Sequence, residues 1–188
     1  MSLTSRGQLQ QALKAYSSPY KEEIAFQEDF LQLLQADRCY HRDHLPGHIT
    51  GSSWIVDETF TKVVLLHHGK LNKWLQPGGH ADGDENIFGV ALREAEEETG
   101  ITNLTLVKPG IFDLDIHPIP EHKGFPEHLH YDIRFIFAAP ALQSLQCSDE
   151  SRELKWISLH EVEAITDYNT SINRMVQKTF LLARSNQH

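Results

Sequence analysis

The chain has 188 residues, 40% of them hydrophobic and 23% charged, with a formal net charge of −9. No apolar run approaches the roughly 18 residues of a membrane span, and no Lys/Arg run exists to grip a long nucleic-acid backbone. What remains is one soluble domain with a small appendage, for which a small anionic ligand stays open if a cation screens its charge. The N-terminal stretch MSLTSRGQLQQALKAY is polar and lacks the apolar core of a signal peptide, so the expected location is cytoplasmic. Cys39 and Cys147 then read as two reduced thiols.

In chain order, residues 3–38 read as two helices, broken at Ser17–Pro19 and carrying Ile24, Phe26, Phe30, Leu31, Leu33 and Leu34 on the second. CYHRDHLPGH joins these helices to the first strand. Cys39, His41, His44 and His48 raise the question of zinc, but their spacing matches no closed site, and a linker is the reading adopted. From about residue 49 the hydrophobic period changes to two, with SSWIVDET, KVVLLHH and KWLQ strand-like. PGGHADGD reads as a loop and ENIFGVALREAEEET as a helix ended by Gly100. NLTLV, IFDLDIH, HLHYDIRFIFA and LKWISL come next as strands, HEVEAI as a helical turn and SINRMVQKTFLLAR as a closing helix. This order implies an α+β fold, with residues 1–48 as an N-terminal helical extension and 49–188 as the main domain. The N-terminal helices are expected to cover the core or to form a contact in a homodimer.

The helix over 85–99 raises an electrostatic problem. Four of the five residues from Glu94 to Glu98 are glutamates, placed where the helix dipole is negative. On a helical wheel Glu94, Glu97 and Glu98 share one edge, Glu96 points away, and Phe88, Ala91, Leu92 and Ala95 form a separate apolar face. Three converging carboxylates suit a hard divalent cation such as Mg²⁺ or Mn²⁺, which would offset their repulsion.

The stretch Gly79–Ile101 reads G-x₅-E-x₇-R-E-A-x-E-E-x-G-I. It resembles the Nudix box at every defined position, and the protein is identified as resembling the Nudix hydrolase family. The resemblance implies a mixed β-sheet sandwiched between helices, and a metal-dependent pyrophosphohydrolase that cleaves a nucleoside diphosphate linked to another moiety by metal-activated water. By position it implies that Glu94, Glu97 and Glu98 ligate Mg²⁺ or Mn²⁺, with Glu94 also near the attacking water. Arg93 would hold a box carboxylate in place, Glu97 being within its reach, and Glu85 would support the loop or reach metal through water. The family often adds an acidic residue from a late loop. Glu150 is preferred here over Glu153, and the general base is left open between Glu94 and Glu150.

Outside the box, alternation puts Asp113, Asp115 and His117 on one side of their strand, and His128, His130, Asp132 and Arg134 on one side of theirs. With His80 after the box glycine, His128, His130, Asp132 and Arg134 are expected to line a polar cavity that binds substrate. Residues 118–127 would join the two strands as a flap. Two other functions remain open: a ligand-binding or sensing module that keeps the fold without turnover, and an isoprenoid diphosphate isomerase. The intact glutamates disfavour the first, and the placement of both cysteines disfavours the second.

Overall fold

The computed structural model describes residues 3–69, 71–140, 143–147 and 151–185. Helices α1 (Arg6–Ala15) and α2 (Lys21–Leu33) precede strands β1 (Gly47–Val56), β2 (Lys62–His68), β3 (Lys73–Leu75) and β4 (Gly78–His80). Helix α3 (Ile87–Thr99) leads to β5 (Thr105–Leu106), β6 (Asp113–Ile119), β7 (His128–Ala138) and β8 (Ser151–Ser158), then α4 (Val162–Ile165) and α5 (Thr170–Ser185). Hydrogen-bonded neighbours run β3-β2-β1-β7-β5, with β4 on β1, β6 on β7 and β8 on β2. The fold is therefore α+β, an eight-stranded sheet with helices. Among the described residues, no helix is long and apolar enough to cross a membrane.

The chain forms two compact units, and β1, α3 and β7 each contribute to both. The first comprises residues 1–52, 78–92 and 108–135. Here Ser5 caps α1 by accepting from the Gln8 amide, and Leu9 and Leu13 are fully buried on its inner face. Helix α2 buries Phe30, whose ring meets Tyr131 edge-on at 5.3 Å. Glu23, also on α2, is fully buried and accepts from Tyr16 Oη at 2.6 Å, from Ser18 Oγ and from the Leu114 amide at 3.0 Å. One carboxylate thus ties the α1–α2 connection to β6, and its lone pairs are filled from three sides.

The second unit comprises residues 53–77, 93–107 and 136–188. Its core gathers Ile55, Val64, Ala95, Ile101 and Ala139, with Leu104, Leu145, Leu154 and Trp156 packed around them. Trp54 is fully buried and donates its indole N–H to Thr179 Oγ1 on α5 at 2.9 Å. The β1–β2 turn is organised by Asp57, which receives the amides of Thr61 at 2.8 Å and Lys62 at 2.6 Å, and the hydroxyls of Thr59 and Thr61. Gly100 ends α3 at φ 70°, its amide bonded to Glu96 O at 2.9 Å.

Two local readings change. PGGH is not only a loop: Gly78–His80 pairs with β1, placing Thr50 opposite His80 and Ser52 opposite Gly78. An added Cβ at Gly78 would lie 2.2 Å from Ser52 Oγ, so the strand approaches this closely only without a side chain. The connection expected over 118–127 is also shorter, because Pro118 pairs with Leu129 and Ile119 with His128. The loop proper is 120–127, tightened by a His122–Phe125 bridge.

Candidate active site and its histidine cluster

The box begins in the first unit. Asn86 caps α3, its Oδ1 accepting from the Gly89 amide at 3.1 Å, and its own amide donates to Asp84 Oδ1 at 2.8 Å. Glu85 is held by the start of α1: its carboxylate accepts from the Arg6 amide at 2.9 Å and from Arg6 Nε at 3.1 Å. The expected loop support is thus supplied through a helix 79 residues upstream in sequence.

The carboxylates lie on the second-unit half of α3. Arg93 donates to Glu94 Oε1 at 2.8 Å, with Glu97 Oε1 at a looser 3.8 Å from its Nε. The closer partner is therefore the neighbour in sequence, and the i, i+4 contact expected with Glu97 is secondary. Glu94 and Glu98 are half-buried, whereas Glu96 and Glu97 are exposed. Ala91 and Ala95 are fully buried, so the wheel separates an apolar face from an acidic edge. Glu150 lies outside the described residues. Glu153 pairs with Lys155 on β8.

In the first unit the polar faces of β6 and β7 meet in register, with Asp113 opposite Arg134, Asp115 opposite Asp132 and His117 opposite His130. The Arg134 guanidinium is 3% exposed and surrounded by carboxylates: Nε reaches Asp132 Oδ2 at 2.8 Å, one terminal nitrogen Asp113 Oδ1 at 3.1 Å and the other Asp115 Oδ2 at 3.0 Å. Burial disfavours its charge, but Asp115, Asp132 and Asp113 outweigh that and raise its pKa further. Asp132 Oδ1 also accepts from Ser52 Oγ at 2.7 Å and Thr50 Oγ1 at 3.1 Å. The fork expected to meet a phosphate thus meets three aspartates, and the network continues to Ser52, the residue under Gly78.

Toward the other end of the same hairpin the face is imidazole. His48 stacks with His128 at 5.0 Å between ring centroids and lies 4.9 Å from His130 and 5.2 Å from His80. His80 lies 4.9 Å from His130, and His117 lies 5.6 Å from it. His128 Nδ1 sits 2.9 Å from Pro126 O, which fixes that nitrogen as the donor and turns Nε2 away from it. Burial first, then the nearby His80, pushes His48 down to about 4 and His130 down to about 2. Both rings are therefore neutral at pH 7. The sequence groups His80, His128 and His130 but leaves His48 in a linker. Only the register of β1 against its neighbours brings it in.

A NUDIX domain model matches residues 46–178. The rat bis(5'-nucleosyl)-tetraphosphatase (asymmetrical) is 28% identical over 113 residues, covering 56% of this chain and 70% of that protein. Phosphatase NudJ of Escherichia coli K12 is 28% identical over 118 residues, covering 61% of this chain and 65% of its own length. Among solved structures, a C. elegans Ap4A hydrolase complex superposes with a TM-score of 0.54 at 22% identity, over 73% of this chain and 98% of that one. The E. coli dihydroneopterin triphosphate pyrophosphohydrolase gives 0.56 at 19% identity, over 73% and 95%. At such identities the structures speak for the fold, while the domain match and the complete box carry the family. The chain belongs to the NUDIX family of hydrolases.

Proposed function

We propose that the protein is a divalent-metal-dependent pyrophosphohydrolase that cleaves a nucleotide or nucleotide conjugate at a phosphoric anhydride bond. The observation that carries this reading is the acidic edge of α3, with Glu94 and Glu97 both facing Arg93 inside a complete box. The donor set fits the metal: carboxylate oxygens are hard ligands, matched to Mg²⁺ or Mn²⁺. When bound, such an ion neutralises the diphosphate and lowers the pKa of a coordinated water.

In this reading Glu94, Glu97 and Glu98 hold the ion, and Arg93 orients Glu94. A carboxylate, that of Glu94 or of Glu150, takes the proton of the attacking water. Arg6 positions Glu85 and thereby the loop that enters α3. Asp132 and Arg134 act as positioning residues behind Ser52 and the box glycines, rather than as direct phosphate ligands. His80, His128 and His130 provide the imidazole surface for substrate contact. Residues 49–188 form the catalytic domain and 1–48 an extension that braces it. The enzyme works in the cytoplasm on small-molecule diphosphates, as a monomer or a homodimer.

The rat and nematode relatives, by name, act on dinucleoside tetraphosphates, so these head the panel of substrates. The test incubates dinucleoside polyphosphates, nucleoside triphosphates and nucleotide conjugates with the protein and Mg²⁺ or Mn²⁺, and identifies the products by chromatography. Products cut at an anhydride bond, absent with chelator, are expected. Binding without turnover across the panel would favour a ligand-binding module instead. The isomerase reading gains nothing from Cys39, which is fully buried and whose thiol burial pushes up.

A further inference from the structure

The carboxylates of α3 do not exhaust the metal-ligating chemistry of this chain. His48, His128 and His130 each offer one ligand atom, and the three atoms lie within 4.8 Å of one another. Among the described residues this is the group of three or more potential ligands that converges so closely. We propose that His48, His128 and His130 form a binding site for a zinc-class transition-metal ion, chemically separate from the Mg²⁺ or Mn²⁺ chemistry of the glutamates.

Four observations support the proposal. First, the donors are of one kind. Imidazole nitrogens suit Zn²⁺ and its neighbours, whereas Mg²⁺ prefers oxygen. Second, the inward nitrogens have no competing partner. His48 Nε2 and His130 Nε2 are buried and have no hydrogen-bond partner, and His128 turns its Nδ1 to the Pro126 carbonyl, so that Nε2 is the nitrogen left to ligate. A buried polar atom left unsatisfied is destabilising, so two such atoms in one cluster call for a ligand that serves both. Third, the rings are held from behind. His128 donates to Pro126 O, and His48 Nδ1 faces His44 O at 3.4 Å. Backbone carbonyls holding the far nitrogen are what orient metal-bound imidazoles. Fourth, the ligands come from the beginnings of two strands, β1 and β7, joined by the Leu129 amide on Pro46 O at 2.8 Å. The site therefore has a rigid frame. His48 and His128 are buried and His130 is partly exposed, so the His130 side is the open side of the cluster.

Three nitrogens leave one position of a tetrahedral ion open. His80, whose ring lies 4.9 Å from His130, can fill it after a rotation, or an oxygen ligand can.

The test reads metal, not activity, and so stands apart from the hydrolase reading. Protein stripped with chelator is incubated with Zn²⁺, passed over a desalting column and assayed for bound metal, as wild type, as His48→Ala, as His130→Ala and as the double variant Glu97→Gln/Glu98→Gln. One equivalent is expected in wild type and in the glutamate variant, with affinity at least a hundredfold weaker in both histidine variants. X-ray absorption on zinc-loaded wild type covers the case in which a histidine variant does not fold. It should give at least three imidazole nitrogens at about 2.0–2.1 Å. No retained zinc in wild type, zinc lost with the glutamates but kept without the histidines, or an oxygen-only shell would each overturn the site and assign the histidine cluster to water.

Discussion

Arg134 compensates three carboxylates in a place almost closed to water. Replacing it with methionine would keep much of the volume and leave Asp113, Asp115 and Asp132 buried without their cation. Removing one partner of a buried ion pair costs about 3–5 kcal/mol, so Arg134→Met should lose that much in urea denaturation. A loss below about 1 kcal/mol would show that the aspartates do not depend on it. Asp57 gives a prediction in pH. Burial pushes its carboxyl up, but hydrogen bonds from Thr59, Lys62 and Thr61 outweigh that and hold it below 3.8. A group whose folded pKa is depressed stabilises the fold above its unfolded pKa, and that contribution fades as pH falls through the folded value. Asp57→Asn should therefore be less stable than wild type at pH 7, with the gap closing below about pH 3.8. Parallel stability curves from pH 7 to pH 2 would contradict the assignment.

At the scale of elements, the N-terminal helices are fastened by two acidic anchors. Glu23 binds the α1–α2 connection to β6, and Glu85 binds the box loop to α1 through Arg6. Glu23→Ala should cost about 1–3 kcal/mol by leaving the Leu114 amide unsatisfied, measured by thermal unfolding. Arg6→Ala removes no candidate metal ligand. It should lower kcat/KM by loosening the loop while metal affinity changes less than threefold. An equal fall in both would make Arg6 part of the metal site instead. These anchors also mark the limit of what is legible in the sequence. Helices α1 and α2 and strands β1, β2, β6 and β7 follow from periodicity, which is local. That Glu85 reaches residue 6 is a contact across 79 positions, and no local pattern encodes it. Strand β4 escapes such a reading because two of its three residues are glycines, suited to close approach to Ser52 and silent in hydrophobic alternation.

For the whole molecule, the box is legible as one continuous block, because its chemistry requires fixed spacing along a loop and a helix. The histidine cluster is only half legible. His128 and His130 share a strand face by alternation, but His48 joins them from a position 80 residues earlier in the chain, through the pairing of β1 with β7. Arg134 reads as a phosphate ligand because a sequence carries residue type and face, not the partners that occupy them. The central claim is that the glutamates of α3 carry a metal-dependent hydrolysis, and Glu98→Gln tests it most directly. The substitution keeps the size, replaces one acceptor oxygen with an NH₂ donor and removes one charge. Turnover of the best diphosphate substrate is measured at saturating Mg²⁺, with circular dichroism to verify the fold. The account predicts a folded protein whose kcat falls at least a hundredfold, about 2.7 kcal/mol or more of transition-state stabilisation. A folded variant that turns over at the wild-type rate would contradict it.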